Sequence, residues 1–185
     1  EAATSFLEVV KSGKSFSGRE RHCAFLNLHD GTFADASAVS GLDWPDDGRG
    51  TATVDWDLDG DLDLCISNRN GPQLRLLQNR FAAPGHHIAL RLEGRSCNRD
   101  AIGARVEVIV AGAGSGSTRP PSVKSVRAGD GFLSQSSKRL HFGLGEATQI
   151  DRVVVHWPGS AEPEVIAKLE VDRHYVIVQG SGRAE

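Results

Sequence analysis

The sequence predicts an all-β chain, and three features of its 185 residues support that class. Short segments that alternate apolar and polar residues recur along the chain, as half-buried strands do. Turn-forming residues separate these segments at short intervals, which favours sheets joined by tight turns. A helical stripe is found only at Phe6, Leu7 and Val10, where it indicates one short helix within residues 1–20.

The composition is that of an ordinary soluble globular protein, with 39% hydrophobic and 24% charged residues. A net charge of -3 and scattered basic residues argue against a nucleic-acid partner. No apolar run approaches the roughly 20 residues of a membrane span, so membrane insertion is not expected. The chain has no Met and no secretory signal, and we expect it to be a processed piece of a longer protein.

The three cysteines, Cys23, Cys65 and Cys97, are widely spaced. This spacing forms neither a disulfide framework nor a metal knuckle, although a single bridge stays open. We expect all three to be buried small apolar residues.

The most informative stretch is an alternating run of aspartates between two predicted strands. Its pattern is D-x-D-x-D-G-x-x-D, in which Gly60 allows a sharp turn. Carboxylate oxygens in a flexible loop suit Ca²⁺ better than Mg²⁺, and the loop has no His or Cys for zinc. The alternative is a solvated acidic turn without a metal. The predicted metal ligands are Asp55, Asp57, Asp59, Asp61 and Asp63.

This loop is not a helix-loop-helix EF-hand. An EF-hand ends its loop with a bidentate Glu, and that position here is Ile66. The residues that follow the loop read as strand, so a shorter β-hairpin version is predicted. We expect Trp56, Leu58 and Leu62 to point into a core while the aspartates surround the ion.

Short strands are predicted on both sides of a boundary at residues 82–85, where small residues meet a Pro-Gly pair. Residues 41–50 are rich in turn formers and are predicted to hold no regular element. The second half favours an antiparallel sandwich or barrel. The predicted strands are residues 22–28, 33–35, 51–54, 63–67, 74–79, 87–93, the end of 98–110, 123–127, 151–157, 165–169 and 174–179.

The first half resembles the FG-GAP or VCBS repeats of β-propellers. The residues that carry this resemblance are Phe25–Leu28, Asp30–Asp35, the aspartate loop and Asn68–Asn79. It implies a partial β-propeller-type calcium hairpin module at residues 21–82, of about one and a half blades. Propellers close with about four to eight blades, so these strands would not close one alone.

The second half resembles the ASPIC/UnbV domain of the cartilage acidic protein-like family. Four motifs carry this resemblance in order: Ser96–Val106, Gly129–Ser136, Arg139–Gly145 and Val155–Pro158. The resemblance implies a β-sandwich domain at residues 86–180. It also implies an extracellular, cell-surface or periplasmic protein, and it implies no known reaction.

Several kinds of chemistry are not indicated. The glycines Gly112, Gly114 and Gly116 follow a strand but lack the third glycine and the helix of a dinucleotide fingerprint. No nucleophile elbow occurs. Adjacent strand residues such as His86 and His87 face opposite sides, so we expect surface positions rather than a shared metal. His141 and His156 lie in apolar strands and are expected at the edge of the core.

A second polar cluster is consistent with two roles. The residues are Asn98, Arg99, Asp100 and Arg105, with Ser134 and Gln135 further on. Polar side chains in a loop before a strand can bind a partner or a sugar. They can equally satisfy their own loop by hydrogen bonds and a salt bridge, which is the role we favour.

The leading functional hypothesis is a calcium-stabilised extracellular interaction module without catalysis, with a protein or glycan ligand. One alternative is an enzyme of the UnbV type acting in secondary metabolism. It predicts that Asn98, Arg99, Asp100 and Ser134 line one cleft. Another is a carbohydrate-binding sandwich, for which the candidate aromatics are Trp44, Trp157 and Tyr175.

Overall fold

The computed structural model describes residue 8 and residues 11–12, 19–69, 71–80, 85–110 and 120–185. The regular elements among these residues are strands, which confirms the all-β class. Most of the helix predicted in residues 1–20 lies outside the described residues. Its described part shows one helical contact, in which the Ser12 N–H donates to the Glu8 carbonyl at 2.9 Å. No helix in the described part is long and apolar enough to cross a membrane.

The chain divides into two compact units that do not follow chain order. The first contains the described residues of Glu1–Ala52, together with Leu64–Leu77 and Gly131–Ser134. The second contains the described residues of Thr53–Asp63, Gln78–Asp130 and Gln135–Glu185. The aspartate loop is therefore part of the second unit, although it precedes most of that unit in the chain.

The first unit is built on two small sheets. One is an antiparallel hairpin of β1 (Phe25–Asn27) and β2 (Phe33–Asp35). The other has the order β3-β4-β5, with β4 and β5 antiparallel. Its strands are β3 (Gly48–Val54), β4 (Asp63–Asn68) and β5 (Leu74–Leu77).

The start of β3 corrects the prediction that residues 41–50 hold no regular element, which is wrong for Gly48–Gly50. A Cβ at Gly48 would lie 2.8 Å from His22 Nε2. One at Gly50 would lie 3.2 Å from the Leu133 carbonyl oxygen. These glycines allow close packing along a strand, whereas the sequence pattern suggested that they form a turn.

The second unit contains two sheets. One has the order β11-β10-β7-β8, and its paired strands are all antiparallel. The other has the order β12-β6-β9. The strands are β6 (His86–Glu93), β7 (Arg105–Val110), β8 (Ser122–Ser125), β9 (Leu140–Gly145), β10 (Ile150–His156), β11 (Glu164–Ala167) and β12 (Arg173–Val178).

Both sheets of the second unit contribute to one apolar core. Strand β6 contributes Ile88 and Leu90, and the opposite sheet contributes Val106 and Val153, all fully buried. Phe142 on β9 is among the largest fully buried side chains. β6 and β12 are parallel, which alternation could not reveal because it fixes the faces of a strand and not its direction.

Two of the apolar residues in the aspartate loop are exposed, so the prediction of an inward orientation is wrong for them. Trp56 is 73% exposed and Leu58 is 63% exposed, while Leu62 is half-buried. The loop forms bends, and Leu58 adopts a left-handed φ of 62°. Strand alternation therefore does not determine which way these side chains point.

The prediction that all three cysteines are buried is also wrong. Cys23 is exposed, and Cys65 and Cys97 are half-buried. All three are free thiols.

Candidate metal site

Three aspartates of the loop between β3 and β4 are brought together. One carboxylate oxygen from each of Asp55, Asp57 and Asp59 lies within 4.8 Å of the other two. Asp57 and Asp59 are exposed. The turn that groups them uses a left-handed backbone at Leu58 and at Gly60, whose φ is 96°. The group thus offers three hard oxygen donors from one short loop.

Asp55 has the least satisfied carboxylate of the three. Its side chain is 5% exposed, and neither oxygen accepts a hydrogen bond from the described residues. His174 Nε2 lies 3.4 Å from Asp55 Oδ2. Burial, helped by the charge of Arg139, lowers the pKa of His174 below its usual 6.5, although the charge of Asp55 acts in the opposite direction. The lowered pKa opposes formation of a histidine cation beside the carboxylate.

The other two predicted ligands lie outside this group of three. Asp63 is buried, and its oxygens accept the N–H groups of Trp56 at 3.0 Å and Asn79 at 2.7 Å. The Asp61 N–H donates to Asp59 Oδ1 at 2.9 Å. Asp63 thus ties the two ends of the loop together, and a ligand role for Asp61 and Asp63 stays a prediction.

Three histidines share the face of the β12-β6-β9 sheet on which the loop lies. Ala89 on β6 pairs with His141 on β9 and with His174 on β12. His87 lies two residues before Ala89 on β6 and therefore on the same face. Its ring stacks on His141 at 5.3 Å between centroids and meets His174 edge-on at 5.8 Å.

The loop contacts this histidine cluster through Gly60. His141 Nε2 donates to the Gly60 carbonyl. Burial lowers the pKa of His141, and the Gly60 hydrogen bond opposes that shift. A Cβ at position 60 would lie 2.2 Å from His87 Cε1, so glycine is required by space as well as by its positive φ.

The histidine cluster was not predicted from the sequence. His87 was expected at the surface, but its side chain is 14% exposed and its Nε2 is buried without a partner among the described residues. His86 is half-buried, with Nδ1 2.7 Å from Asp172 Oδ2. Alternation already placed His87 and Ala89 on one face, but only the strand order brings His141 and His174 beside them.

Comparison with known proteins identifies part of the chain. The family described as ASPIC and UnbV matches residues 94–184. Residues 94–184 are an ASPIC and UnbV domain. A 55-residue stretch is 47% identical to Cartilage acidic protein 1 of Homo sapiens and 44% identical to that of Mus musculus. It covers 29% of this chain and 8% of either relative, so the match spans a small part of those proteins.

The ASPIC and UnbV domain supplies only part of the candidate site. It contributes His141 and His174. Asp55, Gly60 and His87 precede the matched residues. The site therefore joins side chains of the domain to a loop and a strand encoded before it.

Within the ASPIC and UnbV domain, the polar cluster mainly stabilises its own loop. The Asn98 side chain donates to the Ile102 carbonyl at 2.9 Å and accepts the Ile102 N–H at 2.7 Å. Arg105 pairs with Glu107. This is the structural role favoured from the sequence.

Three residues named in the enzyme hypothesis line one cleft. Asn98, Arg99 and Asp100 line an open cleft of the second unit. Ser134 belongs to the first unit and lines a cavity there. Lys138 pairs with Asp100. Its hydrogen bond is the largest cause of the lowered pKa of Asp100.

Of the aromatic residues considered for sugar binding, Trp44 is exposed and Trp157 is buried. Trp157 is 4% exposed and its indole N–H donates to Glu164 at 2.7 Å, so it does not offer the exposed ring that sugar binding requires. Tyr175 is half-buried. In the first unit, the Arg75 guanidinium lies 3.9 Å from the centre of the Trp44 ring.

Proposed function

We propose that the chain is a calcium-stabilised extracellular interaction module without catalytic activity of its own. The observation that carries this proposal is the buried carboxylate of Asp55, which accepts no hydrogen bond from the described residues and lies beside those of Asp57 and Asp59. A buried carboxylate is costly unless it is paired or coordinates a metal. A divalent cation held by the three would remove that cost.

The donor set fits calcium better than other common ions. The three side chains supply oxygen only, which suits hard cations. Calcium accepts irregular geometry and many oxygen ligands, whereas magnesium demands a near-ideal octahedron and retains its waters. The imidazole of His174 lies next to Asp55, but its Nδ1 already accepts a hydrogen bond from Arg139. We therefore do not count His174 as a ligand. We assign the site to calcium for these reasons.

The location that we propose is inferred from a relative. The partial similarity to Cartilage acidic protein 1 supports an extracellular location. We assign residues 21–82 to the FG-GAP or VCBS type on the motifs around the aspartate loop. The ligand class that we propose for the module is a protein or a glycan. The polar residues considered for catalysis are engaged in loop hydrogen bonds and ion pairs, which is why we favour binding over an enzymatic role.

Calcium titration of the chelator-treated chain tests the proposal. We expect one calcium to bind, with magnesium binding much more weakly, as measured by isothermal titration calorimetry. At a calcium concentration one hundredfold above Kd, binding stabilises the folded state by about 2.7 kcal/mol. The melting temperature should then rise by several degrees. An identical melt with calcium and with chelator would refute the stabilising role.

Two matched variants locate the ion. Asp57→Asn removes one charge from the group of three, and Asp151→Asn removes one exposed carboxylate of the same unit that is not a predicted ligand. We expect Asp57→Asn to weaken calcium binding by about tenfold or more, the usual scale for a charged hydrogen-bonding or ligand group. Asp151→Asn should change it far less. Equal losses in both variants would indicate general electrostatic attraction rather than a defined site.

A further inference from the structure

A cleft of about 360 Å³ opens on the second unit, and none of the grouped aspartates is among its lining residues. One wall is the end of β8 and the residues after it, and the other is the segment that leads into β9. Thr53 and Leu62, which flank the aspartates in sequence, complete it. Its volume lies at the small end of the range for ligand pockets in proteins.

The cleft is strongly basic. Its cationic lining residues are Lys124, Arg127, Lys138 and Arg139, and Asp130 is the one carboxylate among its described lining residues. Lys138 also forms an ion pair with Asp100, which lies outside the cleft. Arg139 donates to His174 Nδ1, and a histidine has no negative charge that could cancel that of the guanidinium. A net positive charge remains in the cleft.

Two of these cations, Lys124 and Arg127, form no ion pair among the described residues. The Lys124 ammonium lies 5.6 Å from the centre of the Phe142 ring. Lys124 is exposed, yet neighbouring protein atoms desolvate its ammonium and lower its pKa. An anion in the cleft would restore favourable interactions to this group.

Hydroxyl groups supply further donors toward the same space. Ser136 Oγ accepts the Thr53 N–H at 3.1 Å. Ser137 Oγ accepts the Arg139 N–H at 3.2 Å. A hydroxyl that accepts from the backbone still has its own proton to donate. Ammonium, guanidinium and hydroxyl donors thus line the cleft from both walls.

We propose that this cleft binds a tetrahedral oxyanion ester, a sulfate or a phosphate, carried on a small polyhydroxylated body such as a single sugar ring. The number of donors exceeds what the two oxygens of a carboxylate can accept, and a tetrahedral group presents three terminal oxygens. Gln135, Ser125 and Asp130 offer hydrogen-bond partners for the hydroxyls of the ring. This proposal does not depend on the assignment of the aspartate group to calcium.

Titration with four probes tests the proposal: glucose 6-sulfate, glucose 6-phosphate, inorganic sulfate and glucose. We expect one of the two esters to bind measurably by calorimetry, and the tighter ester identifies the natural anion. Glucose should bind at least about tenfold more weakly, because it lacks the charge that the cations recognise. Added salt should weaken binding of the ester. Equal binding of glucose and both esters, or no binding of either ester, would overturn the proposal.

Variants place the anion in the cleft. Lys124→Gln and Arg127→Gln should each weaken binding of the ester by about tenfold, the scale of one charge-assisted hydrogen bond. Lys124→Arg keeps the charge and should retain most of the affinity. Arg152→Gln removes an exposed cation of the same unit that does not line the cleft and should have little effect. Native-like melting establishes that each variant is folded. Equal affinities in Lys124→Gln, Arg127→Gln and the native chain would refute the assignment.

Discussion

Each of the two units is stabilised internally by a different kind of interaction. The second has a continuous apolar core that both of its sheets share. In the first, Ile66 is the only buried hydrophobic residue among those described, and the other buried side chains there are polar. These are Asp46, Asp47 and Asn68. Packing therefore dominates one unit, and hydrogen bonds and ion pairs dominate the other.

The exposure of the large apolar residues supports the same contrast between the units. Those of the first unit are mostly exposed, among them Phe25, Leu26, Leu28, Phe33, Val39, Leu74, Leu76, Phe132 and Leu133. Burial of apolar surface is the main favourable term in folding, and polar pairs contribute less on average. We therefore expect the first unit to be the less stable of the two. A strand pattern alone therefore does not provide a core.

The largest expected effect comes from the apolar core. Phe142→Ala should lower the free energy of unfolding by about 3–5 kcal/mol, because it removes a fully buried ring and leaves a cavity. Phe33→Ala is the matched control, since Phe33 is 64% exposed in the first unit. Its effect should be within about 0.5 kcal/mol. Chemical denaturation followed by circular dichroism measures both.

If Phe33→Ala destabilised the chain as much as Phe142→Ala, the contrast between the units would be wrong. Such a result would mean that the β1–β2 hairpin buries its apolar face in solution.

A smaller effect should come from the polar centre of the first unit. Arg75→Gln removes the cation that hydrogen-bonds Asp46 and lowers the pKa of that carboxyl. We expect faster amide hydrogen exchange in β4 and β5, because the Asp46 side chain is 7% exposed and loses its charged partner. The effect should be smaller than that of Phe142→Ala, since Arg75 itself is reached by solvent. Arg21→Gln, which breaks the more exposed pair with Asp43, is the control.

Unchanged exchange in Arg75→Gln would show that the Asp46–Arg75 pair does not hold the sheet. Asn68 would then be the residue to test, because its amide donates to the Pro72 carbonyl at 2.9 Å.

The smallest effect should be an electrostatic one in the second unit. The His86 ring, followed by the His87 N–H, lowers the pKa of Asp172 below its usual 3.8. Its contribution to stability is therefore complete above pH 3.8 and is lost as the pH falls through the lower folded value. Asp172→Asn should reduce this loss of stability at acid pH. Asn tolerates the left-handed φ of 57° at this position.

Urea unfolding at a series of pH values below about 5 measures this slope for the native chain and for Asp172→Asn. Asp151→Asn, which removes a comparably exposed carboxylate, is the control. A steeper acid loss in Asp172→Asn than in the native chain would contradict the assigned sign.

Most strands were predictable because their signal is local. His87–Glu93 alternates cleanly, and β6 covers this run with its apolar residues in the core. The loop that groups Asp55, Asp57 and Asp59 was also predictable, since its spacing and Gly60 restrict the turn.

The surroundings of the loop were not predictable, because they depend on contacts distant in sequence. His87, His141 and His174 meet only through the strand order β12-β6-β9, which no local pattern encodes. The outward orientation of Trp56 and Leu58 follows from bends rather than from strand periodicity. The burial of Asp55 follows from the sheet beneath it.

The exposure of Trp56 has an optical consequence. Its indole stands in water between two of the grouped aspartates, whereas the indole of Trp157 is enclosed and donates its N–H to Glu164. Emission from a wet indole is red-shifted and easily quenched by iodide, and emission from an enclosed one is not. Within the second unit, Trp56 therefore reports on events at the loop and Trp157 on unfolding of the interior, and Trp44 of the first unit must be replaced to observe them alone.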